Sequence, residues 1–212
     1  PRDAKITVVG KCVRSVLASV RSSQSIAHKA VIERLKSKYQ IEWLPETGPE
    51  FTVQVAILKD VAQLTLDTSG QGLHKRGYRM QHGDVPLREN LAAALVMLSD
   101  CEKGRLLIDP MCGSGTILIE AAMIARRIAP GLLREFASEK WPAVGKVHWD
   151  EARRAAREAI LPGGGLNICG YDIDPERIRD SRANAKKAGV GQDIVFEQKD
   201  IKDLWVNQPR GT

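Results

Sequence analysis

The chain has 212 residues, 43% of them hydrophobic, which is enough apolar material to bury a core in one domain or two small ones and excludes an intrinsically disordered chain. No apolar run approaches the roughly 18 residues that span a bilayer, and the first 20 residues lack a secretory signal, so a soluble cytosolic protein without membrane attachment is expected. The formal net charge of +6 is uneven: residues 1–39 carry nine Lys and Arg against two acids, the rest 23 against 24, which suits either a polyanionic partner or a solvated helix face.

In chain order, Ser22 or Ser23 can cap a helix over about 22–38. Its Ile26, Ala30, Val31 and Leu35 share one face, which must pack on something apolar, while Lys29, Arg34, Lys36 and Lys38 take the others. After a loop with Pro45 and Pro49, Phe51, Val53, Val55 and Ile57 alternate with Thr52, Gln54 and Ala56. Leu58-Lys59-Asp60 then turns the chain into a second alternating run over 61–66, so a hairpin is expected. Residues 1–72 thus read as a small α+β unit. A linker over 73–86 follows, with a second basic cluster of His74, Lys75, Arg76 and Arg79. Gly77 and Tyr78 within it suit a packed segment better than an exposed patch.

From about Leu87 the pattern changes. A helix through Leu91, Ala94, Leu95 and Leu98 leads to a short strand, Leu106-Leu107-Ile108, which runs into Asp109-Pro110-Met111-Cys112-Gly113-Ser114-Gly115-Thr116 and a helix rich in Ile, Leu and Ala. A second strand over 166–171 ends in Asp172-Ile173-Asp174-Pro175, where Asp174 can cap and Pro175 can open a helix over 176–188. Ile194-Val195-Phe196 makes a third strand before Asp200. Such alternation implies right-handed crossovers and a parallel sheet covered on both faces. Residues at about 129–165, with Trp141, Trp149 and a closing Pro162-Gly163-Gly164-Gly165, interrupt it as an insertion. The four cysteines (Cys12, Cys101, Cys112, Cys169) lie far apart, so neither a disulfide framework nor a metal site is expected.

The glycine loop carries the chemistry. Glycines at the carboxyl end of a first strand let the backbone approach a ligand, and an acid ending the second strand can accept both hydroxyls of a ribose. The string GxxxxGK[ST] is absent, which argues against a cradled triphosphate. The dinucleotide fingerprint fails at Leu118, where Gly or Ala is needed. Asp109 at the head of the loop would repel a pyrophosphate but welcome a cation. S-adenosylmethionine, with a sulfonium, an amine, a ribose and an adenine, is such a ligand.

The same loop followed by Ile119-Glu120-Ala121-Ala122, with Gly170-Tyr171-Asp172-Ile173-Asp174 and the later Asp200, resembles the class I methyltransferase domain of THUMP-containing RNA methylases. Upstream, Asp67-Thr68-Ser69-Gly70, Leu73-His74-Lys75-Arg76-Gly77-Tyr78-Arg79 and Pro86-Leu87-Arg88-Glu89-Asn90-Leu91-Ala92-Ala93-Ala94 resemble the linker of the bacterial 23S ribosomal RNA guanine-N2 methyltransferases, sequences also named adenine-specific DNA methylases. The resemblance implies an α/β fold: a partial Rossmann-like class I methyltransferase sheet over 87–212, preceded over 1–72 by the C-terminal part of a THUMP-like RNA-binding domain. It implies that Asp109, Gly113, Ser114 and Gly115 hold the methionine end of S-adenosylmethionine, with Thr116 at the helix start. Asp172 would take the ribose hydroxyls, Ile173 would lie against the adenine, and Asp200 would accept from the adenine amine. Asp174 reads as a cap, Glu120 as the partner of a base, and Cys112 as a packing residue.

Two departures from the family pattern stand out. On this resemblance the chain would start inside the THUMP-like domain, and no Asn/Asp-Pro-Pro-Tyr string occurs, so the motif that would hold the target base is expected beyond Thr212 and no catalytic residue is assigned. The resulting expectation is an S-adenosylmethionine-dependent RNA methyltransferase acting on an exocyclic amine, guanine N2 of 23S rRNA, in rRNA processing. Lys11, Arg14, Arg21, Lys29, His74, Lys75, Arg76 and Arg79 would meet RNA phosphates. The alternatives are an adenine-specific DNA methyltransferase and a non-catalytic RNA-binding assembly factor.

Overall fold

The computed structural model describes residues 1–79, 87–99 and 105–204. They form two compact units, Pro1–Gly72 with Glu135–Trp149, and Leu73–Arg134 with Asp150–Thr212. Of the expected linker, residues 80–86 lie outside the described set, as does Cys101.

The first unit is a three-stranded mixed sheet with one helix. β1 (Lys5–Val13), α1 (Val20–Tyr39) and β2 (Glu50–Leu58) make a βαβ unit with β1 and β2 parallel, and β3 (Val61–Asp67) returns antiparallel to β2. The expected hairpin is present. Its two turn residues, Lys59 and Asp60, have φ of 49° and 62°, a left-handed pair whose twist matches that of the flanking strands. The strand β1 lies outside the expected elements, because Val9 on its polar side and Gly10 on its apolar side break the alternation of Ile6, Val8 and Cys12 with Thr7 and Lys11.

Helix α1 departs from its expected cap and face. Ser19, not Ser22 or Ser23, caps it, with its Oγ accepting from Ser22 N–H at 3.2 Å. Gln24 donates to Val8 O at 3.1 Å, and Val31 and Leu35 pack on Ala4, Ile6 and Leu44. Gln24 therefore marks the sheet side. Ile26, two residues on and about 200° around the helix, is 71% exposed, and Ala30 is exposed too.

The middle of the expected insertion, residues 135–149, belongs to this unit. Ser138 donates to Thr68 O from both its backbone N–H and its hydroxyl, at 3.1 and 3.0 Å. Trp141 Nε1–H reaches Glu50 O at 2.9 Å, and its ring stacks on Phe51 with centroids 4.7 Å apart.

The second unit holds α2 (Glu89–Leu98), β4 (Leu107–Asp109), α3 (Thr116–Ala125), the later part of α4 (Lys146–Glu158), β5 (Ile168–Asp172), α5 (Pro175–Ala188) and β6 (Val195–Gln198). The three strands pair in parallel in the order β4-β5-β6. Leu107, Ile168 and Phe196 point into a core shared with Leu118, Ile119 and Ala122 of α3 and Ile178 and Ala185 of α5. Ile108, Cys169 and Tyr171 alternate with them and are only half-buried, and Val195 is exposed, so among the described residues one face of this sheet is covered, not two.

Helix α2 also turns a different face inward. Glu89, Ala92 and Val96 are buried at helical spacing against α3, whereas Leu91, Leu95 and Leu98 of the expected face are exposed. Helix α5 starts as its sequence dictates: Asp174 Oδ1 accepts from Glu176 N–H at 2.8 Å and Pro175 takes the first turn. No described helix is long and apolar enough to cross a membrane.

Candidate functional site

The acids and glycines singled out by the sequence meet at the carboxyl end of the parallel sheet. β4 ends on Asp109 and β5 on Asp172, and Asp200 follows β6 by two residues. In a parallel α/β sheet this is where the loops diverge and leave room for a ligand.

The glycine loop is held by its backbone. Cys112 N–H donates to Tyr171 O at 2.8 Å and Gly115 N–H to Cys112 O at 2.8 Å. Asp172 bridges the two strand ends, with Oδ2 accepting from Gly113 N–H at 2.9 Å and Oδ1 from Asp174 N–H at 3.0 Å. From α5, Asn184 Nδ2 donates to Ser114 O at 3.2 Å. At Gly113 the backbone is left-handed (φ 53°), and nothing lies within 4 Å of where a Cβ would stand. That combination needs glycine and leaves open space over the loop.

The remaining loop residues divide by exposure. Gly115 is buried against Phe196 and Ser181, and Cys112 is buried in the core, where desolvation pushes its thiol up to about 12 and keeps it neutral. Ser114 is half-buried, with Oγ 3.3 Å from Thr116 Oγ1. Thr116 stands at the helix start as expected, with its side chain buried and its hydroxyl accepting from Arg79 Nη2–H at 3.3 Å inside the unit. Asp109 is half-buried and accepts from Met111 N–H at 3.2 Å. Burial raises its pKa above the ordinary carboxylate value; the Met111 N–H opposes this and the charge of Asp172 adds to it. Ile173 is 65% exposed at the rim. Asp200 Oδ1 caps the short 3₁₀ turn Ile201–Asp203 through Lys202 N–H at 3.0 Å.

Behind the loop, the second basic cluster turns inward. Arg76 Nη2 lies 3.5 Å from Glu120 Oε2, and Tyr78 O–H donates to Glu120 Oε1 at 3.1 Å. Arg79 Nε–H meets Glu89 Oε1 at 3.1 Å. The side chains of Glu120 and Glu89 are only 3% and 8% exposed and require counter-charges, so these two arginines are committed to carboxylates and withdrawn from the expected contact with phosphates. Desolvation still leaves Glu120 with a raised pKa despite Arg76 and Tyr78. His74 is half-buried, and Lys75, Lys11, Arg14, Arg21 and Lys29 are exposed.

Several supporting residues escaped the sequence reading. Glu89, Asn184, and the ion pair of Arg126 Nη1 with the fully buried Asp193 at 3.0 Å are among them. Asn184 left a trace: it falls in the stripe of Ile178, Ser181, Ala185 and Ala188, where a polar residue signals a buried partner.

Comparison with known proteins bears on the same region. A family model described as "RMKL-like, methyltransferase domain" matches residues 76–211. A Bacillus subtilis (strain 168) protein named "Putative RNA methyltransferase YpsC" is 46% identical over 98% of this chain and 54% of its own length. Among solved structures, a "predicted N6-adenine-specific DNA methylase" from Listeria monocytogenes matches with TM-score 0.94 at 46% identity, and "SMU.472, a putative methyltransferase complexed with SAH" with TM-score 0.91 at 37% identity. Each match covers 100% of this chain and 56% of the other. The chain therefore spans about half the length of the relatives it matches.

Proposed function

The chain belongs to the RMKL-like methyltransferase family, and from that premise we propose that it binds S-adenosylmethionine at the β4–β5–β6 site and forms part of an RNA methyltransferase. One observation carries this reading: Asp109 and Asp172 end adjacent parallel strands beside an open Gly113, so two acids face a backbone cradle where a cationic nucleoside fits. The residues present suit that cofactor. Asp109, Gly113 and Ser114 hold the methionine end, Asp172 the ribose hydroxyls, Ile173 the adenine face and Asp200 the adenine amine. Thr116 and Gly115 support the loop from within.

When bound, S-adenosylmethionine supplies an electrophilic methyl group. The protein's part is to orient it toward an exocyclic amine, guanine N2 of 23S rRNA in this proposal, because alignment of nucleophile and methyl provides most of the rate. The first unit acts as a THUMP-like RNA-binding element through Lys11, Arg14, Arg21 and Lys29; in the second unit, His74 and Lys75 meet phosphates on their own account. The Bacillus subtilis relative's name supports RNA. A second reading, a DNA adenine methyltransferase, follows the name of the Listeria relative.

Calorimetric binding of S-adenosylmethionine, followed by transfer of labelled methyl from it to 23S rRNA and to duplex DNA, tests both. Saturable binding by this chain is expected, with label in rRNA when the transfer is run on a protein that also carries the Asn/Asp-Pro-Pro-Tyr motif. Label in DNA alone would transfer the assignment to the second reading, and a folded chain that does not bind the cofactor would end the first.

A further inference from the structure

We propose that Arg79 is a positioning residue for the cofactor loop, acting through Thr116 and Ser114 with no contact to the ligand itself; this rests on the cofactor reading above. The guanidinium of Arg79 spans three groups. Nε–H meets Glu89 Oε1 at 3.1 Å, and Nη2–H reaches both Leu87 O at 3.1 Å and Thr116 Oγ1 at 3.3 Å. Thr116 Oγ1 in turn lies 3.3 Å from Ser114 Oγ. A continuous polar chain thus runs from the buried carboxylate at the start of α2 to the glycine loop.

The chain has a direction. A guanidinium only donates, so Thr116 must accept from Arg79, and its hydroxyl is left to pair with Ser114. Ser114 sits between Gly113 and Gly115, and its carbonyl is held from the other side by Asn184. Two restraints from different helices therefore converge on one loop residue. Thr116 also opens α3, so its side chain links the helix start to the loop before it. Because the fork of Arg79 is planar and rigid, it can serve Glu89 and Thr116 together, which a lysine ammonium cannot do in the same geometry.

Three variants separate positioning from mere stability. Thr116→Val keeps the shape and the Arg79–Glu89 pair but removes the hydroxyl, Thr116→Ser restores the hydroxyl, and Arg79→Lys keeps the charge. Each is measured in the intact chain by thermal melting and by calorimetric titration with S-adenosylhomocysteine as the probe. Thr116→Val and Arg79→Lys are expected to bind about 5- to 20-fold more weakly. Thr116→Ser should bind as the unmutated chain does, and the affinities should not follow the order of the melting temperatures. Equal affinity in Thr116→Val and the unmutated chain would overturn the positioning role. So would a Thr116→Ser chain as weak as Thr116→Val. If the unmutated chain itself fails to bind the probe, the cofactor reading fails instead, and the two failures are distinct.

Discussion

Asp172 accepts the backbone N–H of Gly113 at 2.9 Å, tying the end of β5 to the loop after β4 across 59 positions of sequence. The acid expected to serve a ribose is thus also a strut of the loop. Asp172→Ala removes the strut together with the proposed ribose contact and should weaken S-adenosylmethionine binding by about 1.5–3 kcal/mol, the range for hydrogen bonds that involve a charged partner. Its neighbour behaves differently. Asp174→Ala loses the cap on α5 and should cost about 0.5–2 kcal/mol of stability with affinity unchanged. Calorimetry and denaturant melts on both variants check the split, and the opposite pattern would mean that the two acids have exchanged roles.

Asp109 sets stability against binding. Its folded pKa is raised, so folding favours the protonated form. That contribution is full below the unfolded value of about 3.9 and is lost as the pH rises through the higher folded value. At neutral pH the ionised side chain is therefore a cost. Asp109→Asn should raise the melting temperature near pH 7 and weaken cofactor binding, with the thermal gain vanishing toward pH 4. A melting temperature that falls at pH 7 would contradict the sign.

Gly170 is a packing requirement. A Cβ there would come 2.5 Å from Leu118 Cδ1 and 2.8 Å from Phe196 Cδ1, in the layer between β5, β6 and α3. Gly170→Ala should destabilise the chain by about 1–3 kcal/mol through overpacking. Urea unfolding would show it as a lower midpoint at constant slope.

The basic residues should fall into two classes. Neutralising Lys11, Arg14, Arg21 and Lys29 together should flatten the salt dependence of RNA binding by somewhat under one unit per phosphate contact and leave cofactor affinity alone. Arg76→Ala should instead cost about 2–3 kcal/mol of stability, below the roughly 3–5 kcal/mol for a fully broken buried pair because Tyr78 still donates to Glu120. Filter binding across a salt series and thermal melts separate the classes. An unchanged slope in the folded quadruple variant would remove the RNA role of the first unit.

Local chemistry decided what the sequence alone could determine. The order of strand, glycine loop and helix, the Lys59–Asp60 turn, the cap at Asp174 and the acids at the strand ends all follow from periodicity, turn residues and short-range hydrogen bonds, which act within a few residues of one another. Tertiary structure decided which faces are buried and which charges are free. Arg76 and Lys75 are adjacent in sequence, yet one is paired with a buried glutamate 44 residues away and the other is exposed. The stripe that α2 buries is likewise chosen by the contour of α3, and residues 135–149 pack with strands that precede them by 70 positions and more. Burial of a charge depends on a partner brought close only by folding, and that partner's distance along the chain leaves no periodic mark in the sequence.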